Sequence, residues 1–179
     1  GDPMNPAFIR KDVHSFMRVL GPKVDGLRAL HEALRGQPLR FFVLFSSVSA
    51  AIPSLGAGQA DYAMANAFMD VFAAAHAEEL PIVSIQWPSW NESGSGEVTT
   101  RAYRETGISS LSDHDGLRIL DAVLAHRPSP VVLPVIGRDA EHAFVATAQE
   151  SNPRALDVAV AGIPPEVSAS ARILTGNVV

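Results

Sequence analysis

Tyr62 and Asn66 stand four residues apart in the run GQADYAMANAFMD, a spacing that stacks two side chains on one face of a helix. Ser47 precedes them at the end of the apolar run FFVLFSS, and Lys23 lies earlier, in GPKVDGLRAL. Phenol, amide, hydroxyl and ammonium together make a proton-donating set. A phenol alone is a weak acid at neutral pH, but an ammonium beside it favours the phenolate and brings a tyrosine toward the working range of a general acid. A serine hydroxyl would hold a carbonyl oxygen for that proton, and the asparagine would orient the lysine directly or through water. Each element alone has a plainer reading. Two serines after a strand form a turn, a tyrosine at a helix start packs, and a lone lysine is solvated.

The elements that must position these residues alternate between strand and helix. Apolar residues at Val13, Phe16, Met17, Leu20, Val24, Leu27, Leu30 and Leu34 step by three or four, as one face of a helix does. Asp12 can cap that helix, Gly36 marks its end, and Pro22 marks either a kink or the junction of two helices. Phe41–Phe45 is apolar without alternation, which predicts a parallel strand buried on both faces and flanked by neighbours. Val48–Gly58 reads as a loop, Asp61–Leu80 as a helix and Pro81–Trp87 as a second strand. The polar stretch Pro88–Gly96 reads as a lid or binding loop with an exposed Trp90. A short helix over Arg101–Gly107, a capping box from Ser112 to Asp115 and a third strand over Pro128–Ile136 complete a parallel α/β pattern. Open α/β sheets bind ligands beyond their strand ends, where Ser47 falls. From Gly137 the pattern weakens, so residues 1–137 read as a catalytic domain and 138–179 as a linker or extended arm, rich in Pro, Gly and small residues over Asn152–Val179.

Composition narrows the classes further. The 179 residues are 47% hydrophobic and 18% charged, which suits a packed core and argues against disorder. Lys and Arg number 14 against 19 Asp and Glu, a net charge of −5 with no basic patch, so nucleic acid is not an expected partner. The chain has no cysteine, which excludes disulfides, thiolate zinc sites and thiol catalysis and suits a reducing cytoplasm. No metal site is expected. No apolar run approaches the roughly 18 residues that cross a bilayer, and GDPMNPAF lacks the features of a signal peptide. A cytoplasmic protein is the expectation.

Five blocks then occur in a telling order: GPKVDGLRAL at 21–30, FFVLFSSVSA at 41–50, GQADYAMANAFMD at 58–70, SIQWPSW at 84–90 and VVLP at 131–134. Over residues 7–137 the chain resembles the ketoreductase domains of modular polyketide synthases, particularly those of the trans-acyltransferase type, which are short-chain dehydrogenase/reductase relatives. The resemblance implies the carboxyl-terminal part of a Rossmann-like parallel sheet with flanking helices, lacking the glycine-rich first βα unit. It implies reduction of a carrier-bound β-ketoacyl thioester to the β-hydroxyacyl product with NADPH. Tyr62 would be the proton donor, Ser47 its hydrogen-bonding partner, Lys23 the lysine that precedes the serine, and Asn66 would hold the place of a lysine in most other short-chain reductases. Lys23, Tyr62 and Pro88 would border the cofactor, and Gln59 and Trp90 the substrate arm. Ser47 and Tyr62 are 15 residues apart, slightly more than is common in the family, so Ser49 stays open for the serine role. No GxGxxG fingerprint is present, so the cofactor would be held mainly by an amino-terminal ketoreductase half, on the same or a separate polypeptide. An acyl carrier protein and other synthase domains would be further partners. A structural or docking remnant of a ketoreductase, and an α/β binding module without redox chemistry, are the alternatives.

Overall fold

A computed structural model describes residues 12–94, 98–127 and 129–136, and the backbone of 171–175. The chain divides into two compact units, Gly1–Gln86 and Trp87–Val179. The domain boundary expected at 137 and most of the arm after it lie outside the described residues.

The first unit opens with helix α1 (Val13–Ala33), whose start is capped by the Asp12 carboxylate accepting from the Ser15 backbone N–H. Pro22 sits inside this helix, so one element spans the segment where two were conceivable. Gly36, at φ 75°, supplies the left-handed turn just beyond it. Strand β1 (Phe42–Ser47) follows, and then two four-residue helical turns, α2 (Val48–Ala51) and α3 (Pro53–Gly56), where a loop was expected. Ser47 explains the first turn: its side chain caps α2. Pro53 opens the second, as a residue with no N–H to satisfy can. Helix α4 (Ala60–His76) ends four residues short of the expected Leu80, and strand β2 (Ile82–Trp87) lies parallel beside β1.

The two strands exchange the roles that hydrophobicity alone assigns them. β1 is not buried on both faces. Its burial alternates, with Phe42 and Leu44 in the core while Phe41 and Phe45 are 57% and 51% exposed. The reason is that α1 and α4 pack one face: Leu27, Phe42, Leu44, Met69, Ala73 and Ile82 form the core cluster. β2 is buried at every position although it carries Ser84 and Gln86. Those two polar residues therefore require partners inside the fold.

The second unit contains α5 (Arg101–Glu105), α6 (Asp113–His126), strand β3 (Val131–Ile136) and strand β4 (Ala171–Thr175), which pairs antiparallel to β3 with Leu133 opposite Leu174. Ser112 caps α6 by accepting from the Asp115 N–H at 3.1 Å, and its hydroxyl bonds the Asp115 carboxylate at 2.7 Å. The stretch from Ser89 to Ser93 is stitched to the same region. Trp90 bridges to Leu111, Asn91 N–H donates to the Leu111 carbonyl, and Ser93 bonds Asp113. Trp90 is not exposed as expected. Its ring stands edge-on to Trp87 at 5.1 Å between centroids and lies over Gly116. Among the described residues no helix is long and apolar enough to cross a membrane.

A methyl group at Gly116 would sit 2.4 Å from the Trp90 ring. Gly116→Ala gains about 1 kcal/mol of helix propensity but overpacks the contact at a cost of about 1–3 kcal/mol. Its urea midpoint, followed by tryptophan fluorescence, is expected to fall. Ser112→Ala removes the α6 cap and is expected to lower stability by about 1 kcal/mol in the same titration.

Candidate active site

Lys23 reaches out of α1 toward β1, where its ammonium donates to the Phe45 carbonyl at 3.0 Å. From there the nitrogen lies 5.7 Å from the centre of the Tyr62 ring, inside the range of a cation–π contact. Two residues 39 positions apart in sequence thus meet because α1 and α4 pack side by side. Burial lowers the Lys23 pKa, and the charge of Asp70 opposes that fall. Tyr62 is 38% exposed, so its phenol stands at the surface of the unit.

Ser47 ends β1 in extended geometry and turns the chain into α2. Its oxygen accepts from both the Ser49 N–H, at 3.2 Å, and the Ser49 hydroxyl, at 3.1 Å. With both lone pairs engaged, the Ser47 proton is the part left to give. Ser49 is in the opposite position: it is buried and donates its hydroxyl to Ser47. Hydrogen bonding therefore differentiates two serines that sequence spacing leaves open.

Asn66 is fully buried beneath Tyr62. Its amide N–H donates to the Tyr62 carbonyl at 2.8 Å, while its side-chain oxygen has no partner among the described residues. The structure does not join Asn66 to Lys23, whose ammonium is engaged at Phe45. Gln59 precedes α4 and spends its side-chain amide on the Leu55 carbonyl at 2.8 Å. Pro88 and Trp90 belong to the second unit, where Pro88 is buried and Trp90 packs as described above.

One further polar group of α4 is buried in the first unit. Asp70 is 4% exposed. Its carboxylate accepts from the Ser84 hydroxyl at 2.6 Å and from the Gln86 amide at 2.8 Å. Ser46 donates its hydroxyl to the Asn66 carbonyl at 3.2 Å, one turn earlier on α4. Burial pushes the Asp70 pKa up, while Gln86, Ser84, Ser46 and the Lys23 charge pull it down. The signal was available: Tyr62, Asn66 and Asp70 recur every four residues, and Ser84 and Gln86 alternate along an otherwise apolar strand. Among the described residues no group of three or more His, Asp or Glu could hold a metal ion.

Residues 4–92 match the family model described as "KR domain". The polyketide synthase PksL of Bacillus subtilis (strain 168) is 59% identical over 132 residues, which is 74% of this chain and 3% of that protein. The polyketide synthase ThaG of Burkholderia thailandensis is 37% identical over 157 residues, 82% of this chain and again 3% of that protein. Among solved structures, an N-terminal ketoreductase from a macrolactin assembly line superposes with a TM-score of 0.65 at 32% identity, covering 80% of this chain and 27% of that one. The first ketoreductase of the tylosin polyketide synthase gives 0.62 at 31% identity, covering 80% and 31%. The chain thus spans a small part of the curated relatives and less than a third of these structures, and the α/β fold matches theirs. On these likenesses the chain belongs, by its residues 4–92, to the ketoreductase domains of polyketide synthases.

Proposed function

We propose that this chain forms the substrate-side wall of a ketoreductase, which reduces a carrier-bound β-ketoacyl thioester to its β-hydroxyacyl product with NADPH. The observation that carries this reading is the Lys23 ammonium held 5.7 Å from the Tyr62 ring centre at the surface of the unit. NADPH, when bound, supplies the hydride that attacks the β-carbon. Tyr62 gives its proton to the carbonyl oxygen, so the ketone becomes a secondary alcohol and a phenolate remains. Lys23 stabilises that phenolate, because an ammonium favours the charged form of an adjacent acid. Ser47 donates its remaining proton to the same carbonyl oxygen and polarises it.

The donor set fits a nicotinamide cofactor in part. Lys23 and Tyr62 offer the charged and hydroxyl donors that a ribose and a reacting carbonyl need. The sequence offers no glycine-rich strand-to-helix turn to take a pyrophosphate. The cofactor is therefore held mainly by an amino-terminal ketoreductase segment that combines with this chain. Phe45 on β1 and Phe41 just before it, both half-exposed, support such a neighbour, since clustered exposed aromatic side chains mark surfaces that a partner covers. An acyl carrier protein presents the substrate, and Gln59 contacts its arm.

The test combines the chain with an amino-terminal ketoreductase segment and follows NADPH oxidation with a β-ketoacyl thioester. Tyr62→Phe is expected to lower kcat by about 10²–10⁴-fold with cofactor binding retained. Full turnover in that variant, or binding of NADPH without any reduction in the native pair, sinks the reading in favour of a structural remnant. Ser47→Ala is expected to cost about 10²-fold in kcat, the effect of losing one carbonyl donor. Ser49→Ala leaves the Ser47 hydroxyl in place and is expected to cost far less; the reverse order would assign the role to Ser49.

A further inference from the structure

Three polar side chains of the first unit meet between α4 and β2, and all are buried: Asp70 is 4%, Ser84 0% and Gln86 8% exposed. One carboxylate oxygen of Asp70 accepts from the Ser84 hydroxyl at 2.6 Å, the other from the Gln86 amide at 2.8 Å. Apolar side chains of similar volume would hold α4 on the sheet as firmly, since such replacements of buried polar groups are often neutral or stabilising. They would not hold it in one orientation, because the hydrophobic effect has no direction. Two short hydrogen bonds to the two oxygens of one planar group are directional. They fix how far α4 is turned about its axis and how far it is slid along β2.

That setting matters for two groups which different elements carry. Tyr62 rides on α4, eight residues before Asp70, or about 12 Å along the axis at the usual rise per residue. Lys23 is tied to the sheet instead, where its ammonium donates to the Phe45 carbonyl of β1 at 3.0 Å. β1 pairs with β2, so the Asp70 bonds fasten the helix that carries the phenol to the sheet that holds the ammonium. The 5.7 Å between the Lys23 nitrogen and the Tyr62 ring centre closes this loop of contacts.

We propose that Asp70 is a positioning residue: its paired hydrogen bonds to Ser84 and Gln86 set where Tyr62 stands against the sheet-bound Lys23. The proposal deepens the ketoreductase reading and rests on it for the effect on turnover, not for the placement of phenol against ammonium. It depends on the geometry of Asp70 and not on its charge. Asparagine keeps both bonds: its carbonyl oxygen accepts from Gln86, and its amide donates to the Ser84 oxygen once that hydroxyl turns about its C–O bond. Leucine keeps neither.

NMR on the full chain tests the placement without turnover. The ring current of Tyr62 displaces the Lys23 ε-methylene signals, and Tyr62→Leu gives their undisplaced position. The triple variant Asp70→Leu/Ser84→Ala/Gln86→Leu takes away acceptor and donors together. Its urea midpoint is therefore expected to stay near the native value, while most of the displacement is lost. Asp70→Asn is expected to keep both. A folded triple variant with the full displacement overturns the proposal, and so does an Asp70→Asn variant that loses its displacement or its fold. Should the triple variant not fold, Gln86→Met breaks one of the two bonds and is expected to shrink the displacement; an unchanged value again overturns the proposal. In the assembled reductase, the triple variant is expected to lose about 10²-fold in kcat, the scale of a misplacement of about 1 Å, with KM little changed. Asp70→Asn is expected to retain most of the native kcat. A purely structural role predicts instead that kcat follows the urea midpoint through the series. If the displacements behave as expected but the native pair reduces nothing, the ketoreductase reading falls and the positioning stands.

Discussion

The first unit depends on seating one polar stripe of α4 against a sheet. Tyr62, Asn66 and Asp70 occupy successive turns of that helix, running from the exposed phenol to a fully buried amide and a buried carboxylate. A helix face so polar would not pack on an apolar strand pair by hydrophobicity alone. It packs because β1 and β2 answer it residue by residue: Ser46 to the Asn66 carbonyl, Ser84 and Gln86 to Asp70. Charge-assisted hydrogen bonds are each worth about 1.5–3 kcal/mol, so two or three of them are of the size needed to offset the several kcal/mol of burying one ion. The apolar contacts of Leu27, Phe42, Leu44, Met69 and Ile82 then supply the net drive to pack.

That arrangement also decides where the reactive groups lie. Because Asp70 is fixed deep in the unit and α4 is rigid, Tyr62 two turns earlier is carried to the surface. Lys23 approaches from α1 and takes the Phe45 carbonyl at the adjoining strand position. The phenol and ammonium are thus placed by separate elements, each held by its own contact. Ser47 is placed by a third device, the capping of α2, which fixes its oxygen as an acceptor and leaves its proton free for another partner.

Much of this was legible in the sequence, and the remainder was hidden for identifiable reasons. The capped helix at Asp12, the capping box at Ser112 and the three strands follow from periodicity and end signals, which are local. The Lys23–Tyr62 approach is suggested by residue types and by the strand–helix order, and the family resemblance sharpens it, since no periodic pattern links residues on different helices. The one-sided burial of β1 is hidden in the sequence because five consecutive apolar residues look alike whether or not both faces are covered. The helical turns after Ser47 are hidden because Ser, Pro and Gly signal breaks and short capped turns equally. The polar neighbours of Trp90 suggest exposure, whereas Gly116, 26 residues away, makes the space for its ring.

Asp70 shows what a reading by single residues misses. An aspartate in the middle of an alanine-rich helix looks like a solvated one, and serine and glutamine in a strand look like surface positions. Only together do they make sense: alternate strand residues point to one face, every fourth helix residue points to one face, and the two polar rows must meet. The consequence is that the carboxylate that fastens α4 to β2 lies two turns below the half-exposed Tyr62. Lys23 is held separately, by the Phe45 carbonyl at 3.0 Å, and its nitrogen lies 5.7 Å from the centre of the Tyr62 ring, so the strand carbonyl and not the polar row of α4 fixes where the ammonium sits.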